Sequence, residues 1–470
     1  MVSIAPFRGY VYNQDEISDH GGRLVAPPYD VLSLSQREAY YSGHPHNFLN
    51  VDLGKALPGE PEMAWHARSA SILQSWFSEG VLVRTPKPSI YVMETEFEHP
   101  LTGRRQIRRG FVCLMRLEAP GKDARIRLHE QTFSFHKEER LDLMEQTRCQ
   151  LSPIFGFFPD AEKALLNALA SLAGRAPDMA LKDTSGQIHK VVCVDDPETV
   201  EIFRSRLADR TVYIADGHHR YMTALNYRDR MLSAMDARGE ASAPDGALDW
   251  VMTYLCPMSD PGLCVLPTHR ILRSLDLSNE EILARLNPIA ETRVIGFSES
   301  GSRQARDTLA AKLREDCRKG LTVFGLYLNG ADFCCFIKIR EKVKEAVADR
   351  APERSSLSQL DVSILTDMVL GEALGLTEAD MDDPARISYI SDADEAFRLI
   401  EDPGCGGQGC RAAFILNPTR LAEILKVTES GYVMPRKATY FYPKVTNGLV
   451  INLVDPSESV VAQAQGEGPA

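Results

Sequence analysis

No stretch of this 470-residue chain stays apolar for the roughly 18–20 residues a membrane-spanning helix needs, which argues against a helical membrane protein. Positive charge is also short. Lys and Arg number 53 against 65 Asp and Glu, a formal charge of −12, so nucleic acid or an anionic membrane is not expected as the main partner. Met1–Tyr10 has neither the basic start nor the apolar run of a signal peptide. Neither a Gly-x-x-x-x-Gly-Lys-Ser/Thr loop nor a Rossmann loop occurs, and no internal repeat is present. The ten cysteines are mostly single and within apolar segments, as at Cys113, Cys193, Cys334 and Cys335. They read as reduced thiols used as small core residues in a cytoplasmic protein. Cys405 and Cys410 flank Gly-Gly-Gln-Gly, the spacing of a metal or redox pair, but no second pair of ligands has suitable spacing.

What is present is ordinary in bulk: 44% hydrophobic and 25% charged residues, with length for two to four domains. Apolar patterning predicts an α/β chain with mixed sheets. The expected segments are an N-terminal unit over 1–118, a phosphate-binding core over 119–275, an α/β extension over 276–350, a C-terminal unit over 351–454 and a disordered tail over 455–470. Strands are expected at Ser89–Phe97 and Gly110–Leu117, with Arg104, Arg105, Arg108 and Arg109 between them read as solvated strand-end charges rather than a phosphate site. Pro27-Pro28-Tyr29-Asp30 reads as a rigid turn.

The densest chemistry lies at Tyr213–Tyr221. Thr211–Ala215 reads as a buried strand, Asp216-Gly217 ends it, and His218–Leu232 carries apolar residues at helical spacing. A strand turning through Gly into a helix presents backbone N–H groups and a helix dipole that favour an anion. Gly217 permits close backbone approach, Arg220 suits a bidentate phosphate clamp, and Asp216 suits Mg²⁺, while His218 and His219 add donors to the same turn. The plainer alternative is helix capping and a surface ion pair.

Three further clusters are candidates. His129-Glu130 follows a short extended piece, and a glutamate beside a histidine suits a general base, with helix N-capping and surface charge as the alternative; His136 and Lys137 read as a solvated face, with Lys137 or Arg140 as the residue that could reach a phosphate. Thr268-His269-Arg270 is expected to emerge just past the buried strand Cys264–Leu266, where α/β sheets place ligands, with Arg270 and Thr268 fit to bind a carboxylate. Met434–Lys444 interleaves Arg436, Lys437 and Lys444 with aromatics, either to cover an anionic ligand or as a strand with snorkelling basic residues.

Ala26–Val31, His129–Thr132, Ile214–Tyr221, Leu266–Arg270 and Met434–Lys444, in that order, resemble a large bacterial and archaeal family known as the domain of unknown function numbered ten-fifteen, over nearly the whole chain. Roughly 120–275 also looks like the ParB/sulfiredoxin superfamily, on the Asp-Gly-His-His-Arg turn and Glu130 upstream of it. That resemblance implies a ParB/sulfiredoxin-like core flanked by α/β units. Its free serine kinase branch implies phosphoryl transfer from ATP, ADP or pyrophosphate, with Mg²⁺, to free L-serine. Glu130 would be the base, Asp216 would serve catalysis or metal binding, and Thr268-His269-Arg270 would hold the amino acid. Gly217, His218, His219 and Arg220 would hold phosphates, His219 with Arg220 offsetting developing charge. His129, Lys137, Arg140, Lys437 and Lys444 are accessory candidates. Sulfiredoxins carry a cysteine where this chain has His218, which points away from sulfinic-acid reduction, and no DNA-binding helices accompany the turn as in ParB. Hydrolysis of O-phosphoserine or a nucleotide at the same site, and a non-catalytic nucleotide switch, are the alternatives.

Overall fold

The computed structural model describes residues 1–470 except 62, 122, 131–134, 241–242, 244, 298–301, 351, 403–409 and 461–470, and except the side chains of 135–137. The chain divides into two compact units, one formed by Met1–Leu128, Thr132–Cys264 and Pro443–Ala470, the other by His129–Gln131 and Val265–Tyr442. No helix among the described residues is long and apolar enough to cross a membrane.

The first unit is built on a nine-stranded mixed sheet. Its strands are β1 (Ile4–Ala5), β2 (Ile90–Glu98), β3 (Arg105–Arg116), β4 (Ile126–Leu128), β5 (Ile154–Phe158), β6 (Met179–Lys182), β7 (Ile188–Val194), β8 (Val212–Asp216) and β9 (Trp250–Pro257). Their order is β4-β8-β5-β9-β3-β2-β7-β6, with β1 paired to β3. The sheet therefore runs through the boundary expected at 118, because the β2–β3 hairpin pairs directly with β9. Strands β5 and β9 are buried at every position, which is why they read as continuous apolar runs without alternation.

Helices α1 (Gln14–His20), α2 (Leu34–Gly43), α3 (Ala64–Ser78) and α4 (Phe135–Thr147) precede α5 (Ala164–Ala173), α6 (Pro197–Ala208) and α7 (His218–Ala237). The last three lay Leu165, Leu169, Phe203, Leu207, Tyr221 and Leu225 onto Val92, Phe111, Met115, Ile214 and Leu255 of the sheet. Apolar residues three and four apart on each helix make that shared face.

The second unit carries a six-stranded sheet whose neighbouring strands all pair antiparallel. Its strands are β10 (His269–Leu272), β11 (Ala290–Gly296), β12 (Val323–Leu328), β13 (Phe333–Ile339), β14 (Ile387–Ile390) and β15 (Ala412–Ile415), in the order β11-β13-β12-β15-β10-β14. Asn329-Gly330 turns β12 into β13 with Gly330 at φ +73°, as its residue types predict. Helices α8 (Ser302–Arg318) and α9 (Ala393–Glu401) pack Leu309, Leu313, Phe397 and Ile400 onto Ile271, Val323, Phe336 and Ile415.

Several local expectations change. Thr268-His269-Arg270 does follow just past the strand Cys264–Leu266, but His269 and Arg270 begin a further strand, β10, and are buried. Arg105, Arg108 and Arg109 lie inside β3 rather than between strands. Arg108 is 1% exposed, packed against Phe155 and Tyr254, and Arg109 pairs with Glu94 at 2.9 Å, so neither is a solvated strand-end charge. The start of the expected tail is ordered: Arg84 makes a two-pronged pair with Glu458 (3.0 and 2.7 Å), and Val460 is buried. Eight cysteines are free thiols, but Cys410 is disulfide-bonded; Cys405 lies outside the described residues.

Arg140 is also reassigned. Its guanidinium stacks over the Tyr29 ring at 3.7 Å and donates to Asp52 Oδ1 (2.9 Å) and the Asp52 carbonyl (2.7 Å). Asn447 and Ser152 complete the Asp52 carboxylate at 2.9 and 3.2 Å. The Pro27-Pro28-Tyr29 turn is thus a packing element in this unit, and Arg140 is committed to a buried ion pair rather than to a phosphate. Arg140→Ala leaves Asp52 buried without its cation and is expected to destabilise the chain by about 3–5 kcal/mol. A denaturant midpoint close to wild type would contradict this.

Candidate functional site

The turn after β8 forms because Gly217 takes a left-handed conformation, φ +86°, that a side chain would strain. A Cβ there would also meet the Arg220 guanidinium at 3.0 Å, so a side chain at this position would crowd Arg220 where it folds back over the turn. Arg220 then donates to Asp216 Oδ2 and, at 2.6 Å, to the Pro153 carbonyl. Lys444, 228 positions along the chain, donates to Asp216 Oδ1. Arg108 holds the preceding residue through the Pro443 carbonyl, which fixes where Lys444 enters.

Asp216 is the anion of this cluster. Burial pushes its carboxyl up, but Lys444 and Arg220 more than offset that and hold it well below the usual carboxylate range. One carboxylate between two cations leaves a net positive charge at the start of a 20-residue helix, where the dipole is positive too. The arrangement suits a phosphate. It does not suit Asp216 as a resident Mg²⁺ ligand, because both carboxylate oxygens are already held by cations. His218 is buried and His219 half-buried in the first turn of α7. Arg220 also lines a cavity of about 50 Å³ together with Asp52, Arg140 and Thr223.

The second unit brings Glu130, His129 and Thr439 together. Met434 N–H donates to the His129 carbonyl (2.7 Å), and Glu130 bridges Met434 in parallel. Thr439 N–H and Oγ1 both bond Glu130 Oε1, at 3.1 and 2.9 Å, while His129 Nε2 lies 2.8 Å from the same hydroxyl. An ionised carboxylate only accepts, so the Thr439 hydroxyl donates to Glu130 and His129 Nε2–H donates to the hydroxyl. The carboxylate is therefore oriented on one oxygen by a residue that sequence reading did not single out. Its only local signal was a threonine inside the Met434–Lys444 motif.

Arg270 and its neighbours are in the same unit. Arg270 is 1% exposed, stacks over Tyr389 at 4.9 Å and donates to the Thr268 carbonyl at 2.5 Å. Among the described residues no carboxylate forms an ion pair with it. Burial pulls its guanidinium down to about 10, with Tyr389 and Glu130 opposing. Thr268 Oγ1 and His269 Nε2 are buried and meet no hydrogen-bond partner among the described residues, while His269 Nδ1 accepts from Leu416 N–H at 3.1 Å. A buried cation beside an unused hydroxyl and an unused ring nitrogen is an incomplete set of contacts, as in a site that a small anion completes.

Asp216, Gly217, His218, His219, Arg220 and Lys444 thus belong to the first unit, and Glu130, His129, Thr268, His269, Arg270 and Lys437 to the second. Lys444 moves from accessory to central. Lys437 is exposed at φ +55°, and the Lys137 side chain lies outside the described residues.

A family model described as "Protein of unknown function (DUF1015)" matches residues 4–363, and the chain belongs to that family. No curated protein matches it. Among solved structures, a free serine kinase variant in complex with AMP is similar at 14% identity, covering 67% of this chain and 84% of that chain with a TM-score of 0.28. A conserved hypothetical protein from Pyrococcus furiosus gives 14% identity, 67% and 87% coverage and a TM-score of 0.28. C-terminally truncated SbnI from Staphylococcus aureus gives 11%, 71%, 85% and 0.29. At these TM-scores the likenesses carry no argument about activity.

Burial, helped by Arg270, pushes His269 down to about 4. An unfolded histidine titrates at about 6.5, so between these values the unfolded chain binds a proton that the folded chain refuses. Stability should fall by about 3 kcal/mol as pH drops from about 6.5 to about 4, with no further loss from this residue below that. Denaturant melts across this range should show the slope reduced in His269→Asn; an unchanged slope would remove the assignment.

Proposed function

We propose that this member of the DUF1015 family is a phosphotransferase that moves a phosphoryl group between a nucleotide or pyrophosphate and the hydroxyl of a small amino acid, free L-serine first. The turn at Asp216–Arg220 with Lys444 binds the phosphates of the donor. Arg270 takes the carboxylate of the amino acid and Thr268 hydrogen-bonds it. Glu130, oriented by Thr439, accepts the hydroxyl proton. The observation that carries the reading is Arg270: a buried guanidinium that forms no ion pair with a carboxylate among the described residues, beside a threonine hydroxyl with no hydrogen-bond partner among them, in a motif the sequence already marks.

Phosphoryl transfer asks mainly for positioning and for charge stabilisation. The serine Oγ–P bond forms as the bridging P–O bond of the donor breaks. The hydroxyl proton passes to Glu130, and the electron pair leaves with the remaining phosphate. Arg220 and Lys444 are already charge-assisted donors at their turn, and in this reading His219 with Arg220 offsets the charge that develops on the phosphate. In this reading Asp216 holds those two cations in place, and no step is assigned to a metal on it.

Phosphorus NMR of the full-length protein with L-serine and ATP, ADP or pyrophosphate in turn, Mg²⁺ being supplied with the donor, should give O-phosphoserine with at least one donor. Glu130→Ala should slow turnover by about 10²–10⁴-fold, as for loss of a general base. Arg270→Gln should raise the KM for serine at least about tenfold, from the loss of a charged hydrogen bond. If no donor gives product and O-phosphoserine is not consumed in reverse, the serine reading is lost; release of inorganic phosphate without O-phosphoserine would identify a hydrolase.

A further inference from the structure

A second cluster, far from these residues in sequence, lies within the first unit. Glu16 and His20 stand one helical turn apart on α1, and His44 and His46 follow the end of α2. Three of the chain's eleven histidines and the Glu16 carboxylate of α1 meet there. His44 is extended (φ −161°, ψ 140°) and leads into a turn at Pro45-His46. One ligand atom from each of Glu16, His44 and His46 lies within 4.8 Å of the others.

The surroundings hold these groups in place. Asn13 caps α1 by accepting from Glu16 N–H at 2.7 Å, and the Tyr12 hydroxyl donates to the His46 carbonyl at 2.7 Å. The His46 ring meets the edge of Trp76 with centroids 5.7 Å apart, and His20 packs on His44 at 4.1 Å. Glu16 Oε1 lies 3.0 Å from His46 Nδ1. Because a carboxylate only accepts, this nitrogen carries the proton and the His46 Nε2 lone pair is left available. The other carboxylate oxygen, Glu16 Oε2, is buried and has no hydrogen-bond partner among the described residues. An ionised oxygen without a donor, next to imidazole nitrogens, lacks a cation.

We propose that Glu16, His44 and His46 form a binding site for a divalent transition-metal ion of the zinc type. Two imidazoles and a carboxylate are the donor set such ions take, and hard cations such as Mg²⁺ or Ca²⁺ prefer all-oxygen sets. Zinc sits about 2.0–2.2 Å from such ligands, so the side chains close slightly as the ion enters. His46 N–H now donates to His44 Nδ1 at 3.1 Å. Coordination through Nδ1 replaces that bond, and coordination through Nε2 requires a proton on Nδ1, so binding gives it up either way. The ion would clamp α1 to the segment after α2, a structural role separate from the phosphate turn.

The test uses the full-length protein after chelator treatment, titrated with Zn²⁺ against a chromogenic competitor and with Co²⁺ by absorption. We expect one Zn²⁺ per chain, a raised thermal midpoint on adding Zn²⁺, and a Co²⁺ spectrum without thiolate charge transfer. The double variant His44→Ala/His46→Ala should lose binding and the midpoint rise. The near-isosteric Glu16→Gln keeps the shape of the site and should weaken binding by about 10–100-fold. Failure to compete for Zn²⁺, wild-type affinity in Glu16→Gln, or a thiolate band placing the ion on cysteines would overturn the proposal.

Discussion

The first unit's site depends on one carboxylate held between two cations. Asp216 sits at the end of β8 with Arg220 on one oxygen and Lys444 on the other. Taking such charges out of water is expensive, and the arrangement holds only because each has a partner and the geometry is fixed. Gly217 leaves room for Arg220, the Pro153 carbonyl accepts a further hydrogen bond from it, and Arg108 anchors the residue before Lys444. The result is a pre-organised positive end on a long helix. Nothing has to reorganise for an anion to be attracted there, and that is the property phosphoryl transfer uses.

The second unit is built on the opposite imbalance. Arg270 is buried in β10 with an aromatic face and a carbonyl for company, and Glu130 acts on it from farther off. A protein tolerates such a group when something else repays its desolvation, and a bound anion does so. Glu130, in turn, is not left to swing: Thr439 bonds its Oε1 twice and is itself bonded by His129. The Glu130 carboxylate is thus oriented by a hydroxyl that an imidazole orients in turn.

Charge alone does not tell a working group from a packing group. Arg140, Arg108 and Arg220 all looked alike as basic residues near motifs. Arg140 is consumed by Asp52 and Tyr29, and Arg108 by a carbonyl and two aromatic rings, while Arg220 shares its carboxylate with Lys444. Only the counting of partners separates them, and partners arrive from distant parts of the chain.

Local physics made much of this chain legible. The strand–glycine–helix turn follows from an apolar run, a residue free to take positive φ and a helical apolar spacing, and it formed where those signals put it. The β12–β13 hairpin and the helix over 302–318 are equally local. Amphipathic spacing, turn chemistry and residue type are properties of short windows, so they survive without knowledge of the rest. The sequence could not say that β2, β3 and β9 share a sheet across an expected boundary, since pairing depends on which strands meet. It could not say that Thr268-His269-Arg270 enters a strand, or that Thr439 orients Glu130 across 309 positions. The tertiary structure also decided that Lys444 reaches Asp216 from 228 positions away. A short window determines what kind of group stands at a position; only the folded chain decides which opposite charge reaches it.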